Sequence, residues 1–355
     1  MNTRTAMQQT KNVSHSAAPF FDAVSRRTVL QAMAAAPAAL ATAGSRAQQE
    51  RTHRAYLAIV SRHLQWTGWQ EGIEVAIETG YPGIIWSVRG GAHVEPQNVA
   101  RELPAIVSAT REAGLAVPMI ITRIGDAGEP HIEPMLETFA SLGIGRYRAG
   151  TPRYDYSRSF ADQFDEFRQN LDALQELNAR YDVTACFHTH SSPGSLGGVG
   201  WDLWMLMRDC DPRYIGINFD IGHIMARTGV GWRDIARAAR EYIQSLSLKD
   251  VVAWRRDESG GRGGWPWDRQ FVPPGDGMVP FADVFDFFYD TNFTGPMEVY
   301  HEYAAPIPGS EDRLNMLGTN YGKWQLEVPR DYFISLLARD VRFYKTALRN
   351  AGFEI

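Results

Sequence analysis

The sequence predicts an α/β chain that folds as a single (β/α)8 TIM barrel. From residue 55 onward short apolar runs alternate with longer amphipathic ones, the pattern of a parallel sheet with crossover helices. Eight such units can be marked, and a barrel of eight strand and helix units needs about 300 residues. A hydrophobic content of 44% and ten tryptophans supply the apolar surface for a sizeable core.

The first unit pairs a strand over Ala55–Val60 with a helix over Trp69–Gly80, and the second pairs Gly83–Val88 with Asn98–Gly114. Ala116–Thr122 precedes Glu133–Gly143, and Gly145–Gly150 precedes the long helical run Phe160–Arg180. Val183–His190 is followed by Trp201–Asp209, and Ile215–Asp220 by Gly231–Glu241. Ile243–Asp250 leads to Phe281–Asp290, and Gly295–Tyr303 to the closing helix Asp331–Gly352. Several helical runs end in Gly, which takes the left-handed conformation after a helix at little cost.

Residues 1–47 read as a leader ahead of the barrel, which is expected over 48–355. Paired Arg26 and Arg27 precede a modest alanine-rich run, a pattern that resembles a twin-arginine signal peptide. The alternatives are a short helix or a membrane anchor, but the apolar run falls short of the roughly 18 residues a spanning helix needs. A periplasmic protein without stable membrane insertion is the expectation. The leader holds five basic residues and one acidic residue, so the chain without it carries a net charge of −9. That balance disfavours nucleic acid and anionic membranes as partners. Cys186 and Cys210 can form at most one disulfide and read as small buried hydrophobes.

Alternation assigns faces in the later strands, since barrel strands point one set of side chains at the helices and the other inward. Val183, Ala185 and Phe187 face out, leaving Cys186, His188 and His190 inward; Asn218 and Asp220, Ser247 and Lys249, and Glu298, Tyr300 and Glu302 follow on the next three strands. His301 then falls on the outward face, and His93 reads as a solvated loop residue. The inward polar groups lie at the carboxyl ends of the strands, where barrels of this kind build their sites. Ionisable groups so placed are costly unless paired or used. Gly-rich stretches over 191–200 and 251–277 sit at the same end, and Trp254, Trp265 and Trp267 in the second offer faces on which a sugar can stack.

These residues resemble the sugar phosphate isomerase and epimerase superfamily, the xylose isomerase-like TIM barrels. Phe219–His223 (FDIGH) looks like the family's sixth-strand Asp and the His three residues on, and Leu248–Asp250 (LKD) like its seventh-strand ending. Pro273–Phe281 (PPGDGMVPF) and Gly90–Val99 (GGAHVEPQNV) look like loops found in members. The resemblance implies a divalent metal held by Glu, Asp, His and Glu from strands five to eight, beside carboxylates that move a proton between neighbouring carbons. Carried over by position, only Asp220 is retained. The other ligand positions fall on His188, Ser247 and Tyr300, with Glu298 and Glu302 on either side of the last.

Three readings follow. A divalent metal (Mn, Mg or Zn) is held by His188, Asp220 and Glu298. Alternatively Lys249 supplies the positive charge, with His190, His223 or Glu302 as acid or base. In the third, only carbohydrate binding is kept. The resemblance gives His223 a contact with substrate, and Arg89 and Trp254 are further candidates for binding it. Lys249 and Asp250 could also form a simple ion pair. The expectation is a sugar or keto-sugar isomerase, epimerase or related lyase acting by proton abstraction next to a carbonyl, with a non-catalytic carbohydrate-binding barrel as the alternative.

Overall fold

The computed structural model describes residues 53–255, 267–318 and 322–355. The expected leader and Trp265 lie outside these residues. Eight parallel strands close into a barrel: β1 (Tyr56–Val60), β2 (Ile84–Ser87), β3 (Ile120–Ile121), β4 (Arg146–Ala149), β5 (Thr184–His188), β6 (Ile215–Asp220), β7 (Ile243–Leu248) and β8 (Pro296–Val299). β8 pairs with both β1 and β7, which completes the ring. Short parallel pairing of His53–Arg54 with Phe353–Glu354 ties the two ends of the described chain together.

With the exception of α6, the helices fall where amphipathic periodicity places them: α1 (Trp69–Thr79), α2 (Val99–Glu112), α3 (Ile132–Ser141), α4 (Phe160–Tyr181), α5 (Trp201–Met207), α6 (Ile221–Thr228), α7 (Trp232–Ala238), α8 (Phe281–Asp290) and α9 (Arg330–Asn350). Ser159 caps α4 by accepting the Asp162 N–H at 3.4 Å, and Gly80 ends α1 at φ 83°. Among the described residues no helix is long and apolar enough to cross a membrane.

The barrel interior is divided. On β1 to β3, outward Leu57, Ile59, Ile84 and Trp86 join the core under the helices, while Ala58, Val60, Ile85, Met119 and Ile121 fill the inside with Tyr300. From β4 to β8 the inward positions are polar and buried: Arg148, His188, Asn218, Asp220, Ser245, Ser247 and Glu298. Such groups must satisfy one another. Arg148 Nη1 donates to Glu298 Oε1 at 3.1 Å, and Asn218 Nδ2 donates to Ser245 Oγ at 2.8 Å. Ser247 Oγ bridges Asn218 Oδ1, at 2.7 Å, and the Glu298 carboxylate.

Four features depart from the sequence reading. Helix α6 begins directly on Asp220, inside the FDIGH stretch that reads as strand and loop. The segment after β7 is a hairpin, Asp250–Arg255 against Trp267–Val272, around the undescribed residues 256–266. His93 is held inside its loop: a ring nitrogen lies 3.3 Å from the Thr67 carbonyl and the ring meets Trp86 edge-on at 5.2 Å. Asp250 does not pair with Lys249; it accepts the backbone N–H groups of Val251 (2.8 Å), Gly275 (2.9 Å), Gly277 (2.9 Å) and Val279 (3.1 Å), which pins the PPGDG loop. A Cβ at Gly277 would come within 2.1 Å of Asp250 Oδ1, so this close approach requires glycine.

His301 faces outward, as alternation predicts, and is buried there. It pairs with Asp340 on α9 at 2.7 Å and meets Tyr81 Oη at 2.9 Å. Cys186 and Cys210 are free and buried.

Candidate active site

The carboxyl ends of the strands surround a cavity of about 500 Å³. His188, His190, His223, Lys249, Glu302 and Arg89, each singled out from the sequence, all line it. Asp220 is fully buried and meets the lining residue Lys249. Two other expectations are corrected. Trp254 is 42% exposed on the hairpin and is not among the lining residues. Glu298 is taken up by Arg148 and Ser247 and stands outside the cluster of metal-donor atoms.

Asp220 ends β6 and is also the N-cap of α6. Its Oδ1 accepts the His223 N–H at 2.8 Å, satisfying one of the free amides of the helix start. That leaves Oδ2 facing the site, 3.0 Å from Lys249 Nζ, 3.5 Å from His188 Nε2 and 3.9 Å from His223 Nε2. Lys249 also pairs with Glu302, which is 24% exposed at the mouth, and reaches His223 Nε2 at 3.0 Å. Its ammonium lies 4.8 Å from the Tyr300 ring centre and 4.9 Å from that of Phe271. Gly222 makes room for this side chain, since a Cβ there would fall 2.3 Å from Lys249 Cγ.

The charge states follow from burial and neighbours. Burial pushes the Asp220 carboxyl up, to about 7, against the pull of Lys249. Burial alone would lower the Lys249 ammonium, but Asp220 and Glu302 outweigh it and hold it above the usual lysine range. Glu302 is shifted the other way: burial raises it, yet Lys249 draws it below the usual carboxylate range, so it is ionised at neutral pH. Burial and the Lys249 charge lower His190 to about 4.

Hydrogen bonds assign the imidazole tautomers. His190 Nδ1 accepts the Ser192 N–H at 3.1 Å, which places its proton on Nε2. His188 Nδ1 donates to Asn218 Oδ1 at 2.5 Å, leaving the Nε2 lone pair toward Asp220. His223 Nδ1 donates to Ser191 Oγ at 2.8 Å, so its Nε2 accepts from Lys249.

The donor atoms of His188, Asp220 and His223 lie within 4.8 Å of one another, and these three residues could hold a divalent metal. Asp220 Oδ2 accepts no hydrogen bond of good geometry, as a ligand oxygen would. Lys249 lies against two of the three donors.

Several site residues escaped the sequence reading. Arg62 follows β1, Arg123 follows β3, Arg148 is on β4 and Arg153 follows it, and all four line the cavity. Inward parity within GRYRAG marks Arg148. The other three are far apart in sequence and follow strands, and nothing local distinguishes them from solvated arginines.

Residues 73–318 match the family described as xylose isomerase-like TIM barrels. An inosose dehydratase of Lactiplantibacillus plantarum is 25% identical over 187 residues, 49% of this chain, and the match spans 61% of that relative's length. The 3-keto-D-glucoside 4-epimerase of E. coli superposes with TM-score 0.54 at 14% identity, covering 81% of this chain and all of that one. A xylose isomerase-like barrel from Mycobacterium smegmatis in complex with magnesium gives TM-score 0.58 at 13% identity over 84% and 98% of the two chains. At such identities the two structures speak for the fold. With the family match across more than half of the sequence and the closed eight-stranded barrel, this chain belongs to the xylose isomerase-like TIM barrel family.

Proposed function

We propose that the protein is an enzyme that acts on a small carbohydrate bearing a carbonyl, removing a proton from the neighbouring carbon. The observation that carries this reading is the Lys249–Glu302 pair at the mouth of the cavity, with the His190 ring beside it. An ionised carboxylate, a fixed cation and a neutral imidazole N–H share one partly enclosed space. These are the parts that carbon-acid chemistry needs.

Glu302 takes the proton from the carbon next to the carbonyl. The electron pair left behind moves onto the carbonyl oxygen, and the Lys249 ammonium and His190 Nε2–H stabilise the negative charge that develops there. His190 donates as a neutral group, since its lowered pKa keeps the ring uncharged at pH 7. Delivery of the proton to the former carbonyl carbon, with the hydroxyl on the deprotonated carbon giving its proton to the former carbonyl oxygen, gives isomerisation. Return to the opposite face of the carbon it left gives epimerisation, and expulsion of a β-hydroxyl, which takes the proton held by Glu302 and leaves as water, gives dehydration. A divalent metal held by His188, Asp220 and His223 would supply further stabilisation of an oxyanion.

The dehydratase and the keto-glucoside epimerase named above support chemistry beside a ketone. In deuterium oxide, keto-sugars incubated with the protein should lose the proton next to the carbonyl, followed by nuclear magnetic resonance. Binding of such sugars with no exchange would overturn the reading in favour of a binding protein. The paired Arg26 and Arg27 support export to the periplasm by the twin-arginine route. Export of an Arg26→Lys, Arg27→Lys precursor at the unaltered rate would contradict it.

A further inference from the structure

We propose that the substrate is a glycoside with an apolar aglycone, an aryl or short alkyl group seated in a recess that adjoins the active-site cavity. This deepens the reading of the site as a carbohydrate enzyme and rests on it.

Beside the main cavity lies a second space of about 200 Å³. Arg123, Gly150 and Thr151 line both, so the two meet along the segments that follow β3 and β4. Lys249 and Glu302 follow β7 and β8, on the opposite side of the ring of strands.

The two spaces differ in kind. The main cavity is lined chiefly by charged and polar side chains. The recess is walled by Pro152, Phe167, Leu171, Phe187, Leu196 and Leu206. Phe187 is an outward residue of β5, and α4 and α5 bring Leu171 and Leu206 to the same space. The polar lining residues Arg123, Asp126, Thr151 and Asn170 are half-buried or exposed, which puts them on its open side.

Leu171, Phe187, Leu196 and Leu206 are at most 3% exposed, so they belong to the core layer, yet they leave room unfilled. Protein interiors hold few voids larger than a water molecule, and an apolar space of this size costs stability unless something occupies it. A cavity of about 150 Å³ with such a lining takes benzene, so this recess is large enough for an aromatic ring or a short alkyl chain.

Its walls are fixed in advance. The Leu196 N–H donates to the Pro152 carbonyl at 3.0 Å, and the Gly150 N–H to that of Ile124 at 2.8 Å. Thr151 Oγ1 donates to the His188 carbonyl at 3.2 Å, which ties the recess to an active-site strand. A pocket formed before binding loses little affinity to ordering. With the reacting carbon toward Lys249 and Glu302, the group that enters the recess is attached on the other side of the sugar ring. The anomeric oxygen is where a carbohydrate ordinarily carries an apolar group.

The test is calorimetric titration of the purified protein with methyl, phenyl and hexyl 3-keto-D-glucosides, each as both anomers. In one anomer the phenyl or hexyl glucoside should bind about tenfold or more tightly than the methyl one, through burial of the added apolar surface. The tighter of the two identifies the aglycone as aryl or alkyl. Asn170→Trp, at the exposed rim, and Leu206→Phe, in the wall, each add side-chain volume to the recess and should abolish the preference. Melting curves show which variants are folded, and the rim variant, on the helix surface, serves if the wall variant is not. Equal affinities for the three aglycones, including lack of binding by all, overturn the proposal, as does a preference that survives in every folded variant. Deuterium exchange on the same protein separates the two readings. Exchange of the methyl 3-keto-glucoside without aglycone preference refutes the inference alone, and aglycone preference without exchange refutes the proton-abstraction reading alone.

Discussion

The Lys249 ammonium lies 3.0 Å from Asp220 Oδ2, and the other oxygen of the same carboxylate caps helix α6. One aspartate thus anchors the backbone and holds the cation of the site. A divalent metal would draw on Asp220 Oδ2 and His223 Nε2, the atoms that Lys249 approaches. Lys249→Met should therefore tighten zinc or manganese binding by about tenfold or more, because a unit charge about 4 Å away costs a second cation several kcal/mol even at moderate dielectric. Titration calorimetry of the chelator-treated protein reads this directly, and unchanged affinity would show that lysine and metal do not compete. The same variant should lose turnover by about 10²-fold or more.

His190 is cast as a neutral donor through Nε2. His190→Ala should lower kcat by about 10²-fold, the usual loss when one oxyanion donor is removed. His190→Gln restores an N–H and should recover part of it. Equal loss in both variants would indicate that the imidazole does something an amide cannot.

Gly222→Ala tests the packing that aims Lys249. The added Cβ would meet Lys249 Cγ at 2.3 Å and its carbonyl oxygen at 2.8 Å, so the lysine must shift away from Glu302. The expected result is a destabilisation of about 1–3 kcal/mol with a disproportionate loss of kcat. Denaturant unfolding and steady-state kinetics together distinguish this from a purely structural effect.

Acid sensitivity should come from histidines before carboxylates. His63 Nδ1 donates to the Met316 carbonyl at 3.1 Å and Nε2 accepts the His301 N–H at 3.1 Å, an arrangement that requires the neutral ring. Burial, reinforced by His301, lowers its pKa well below the usual value, and His93 is lowered to about 4 by burial. A base whose folded pKa is depressed binds more protons when unfolded. Its contribution is complete above the unfolded value of about 6.5 and is lost as pH falls toward the folded value. Each such group costs up to about 1.4 kcal/mol per pH unit below 6.5. The melting temperature should thus already fall between pH 6.5 and 5; a decline confined to pH below 4.5 would contradict this account.

All eight barrel strands and the inward parity of His188, Asp220 and Lys249 were legible in the sequence, because period-two alternation is a local property. Helix α6 was not, since Asp220 serves as strand end and helix cap at once and nothing separates the two elements. Glu298 reads as a candidate ligand by parity, but its partner Arg148 comes from a strand 150 residues away in sequence. Asp250 sits beside Lys249 in the chain, yet it faces the amides of Gly275, Gly277 and Val279, a choice set by loop geometry. Trp254 carries the composition of a sugar platform and stands on an exposed hairpin. Arg62, Arg123, Arg148 and Arg153 come together around the cavity only once the barrel closes.

The central claim is proton abstraction by Glu302 beside a carbonyl. It is tested most directly by deuterium incorporation from solvent into a 3-keto-glucoside, measured by mass spectrometry for the unaltered protein and Glu302→Gln. Glu302 is partly exposed at the mouth, so the amide should leave the fold intact. The account predicts incorporation at a carbon flanking the ketone, reduced about 10²- to 10⁴-fold in the variant. Incorporation at the same rate in both proteins would contradict it.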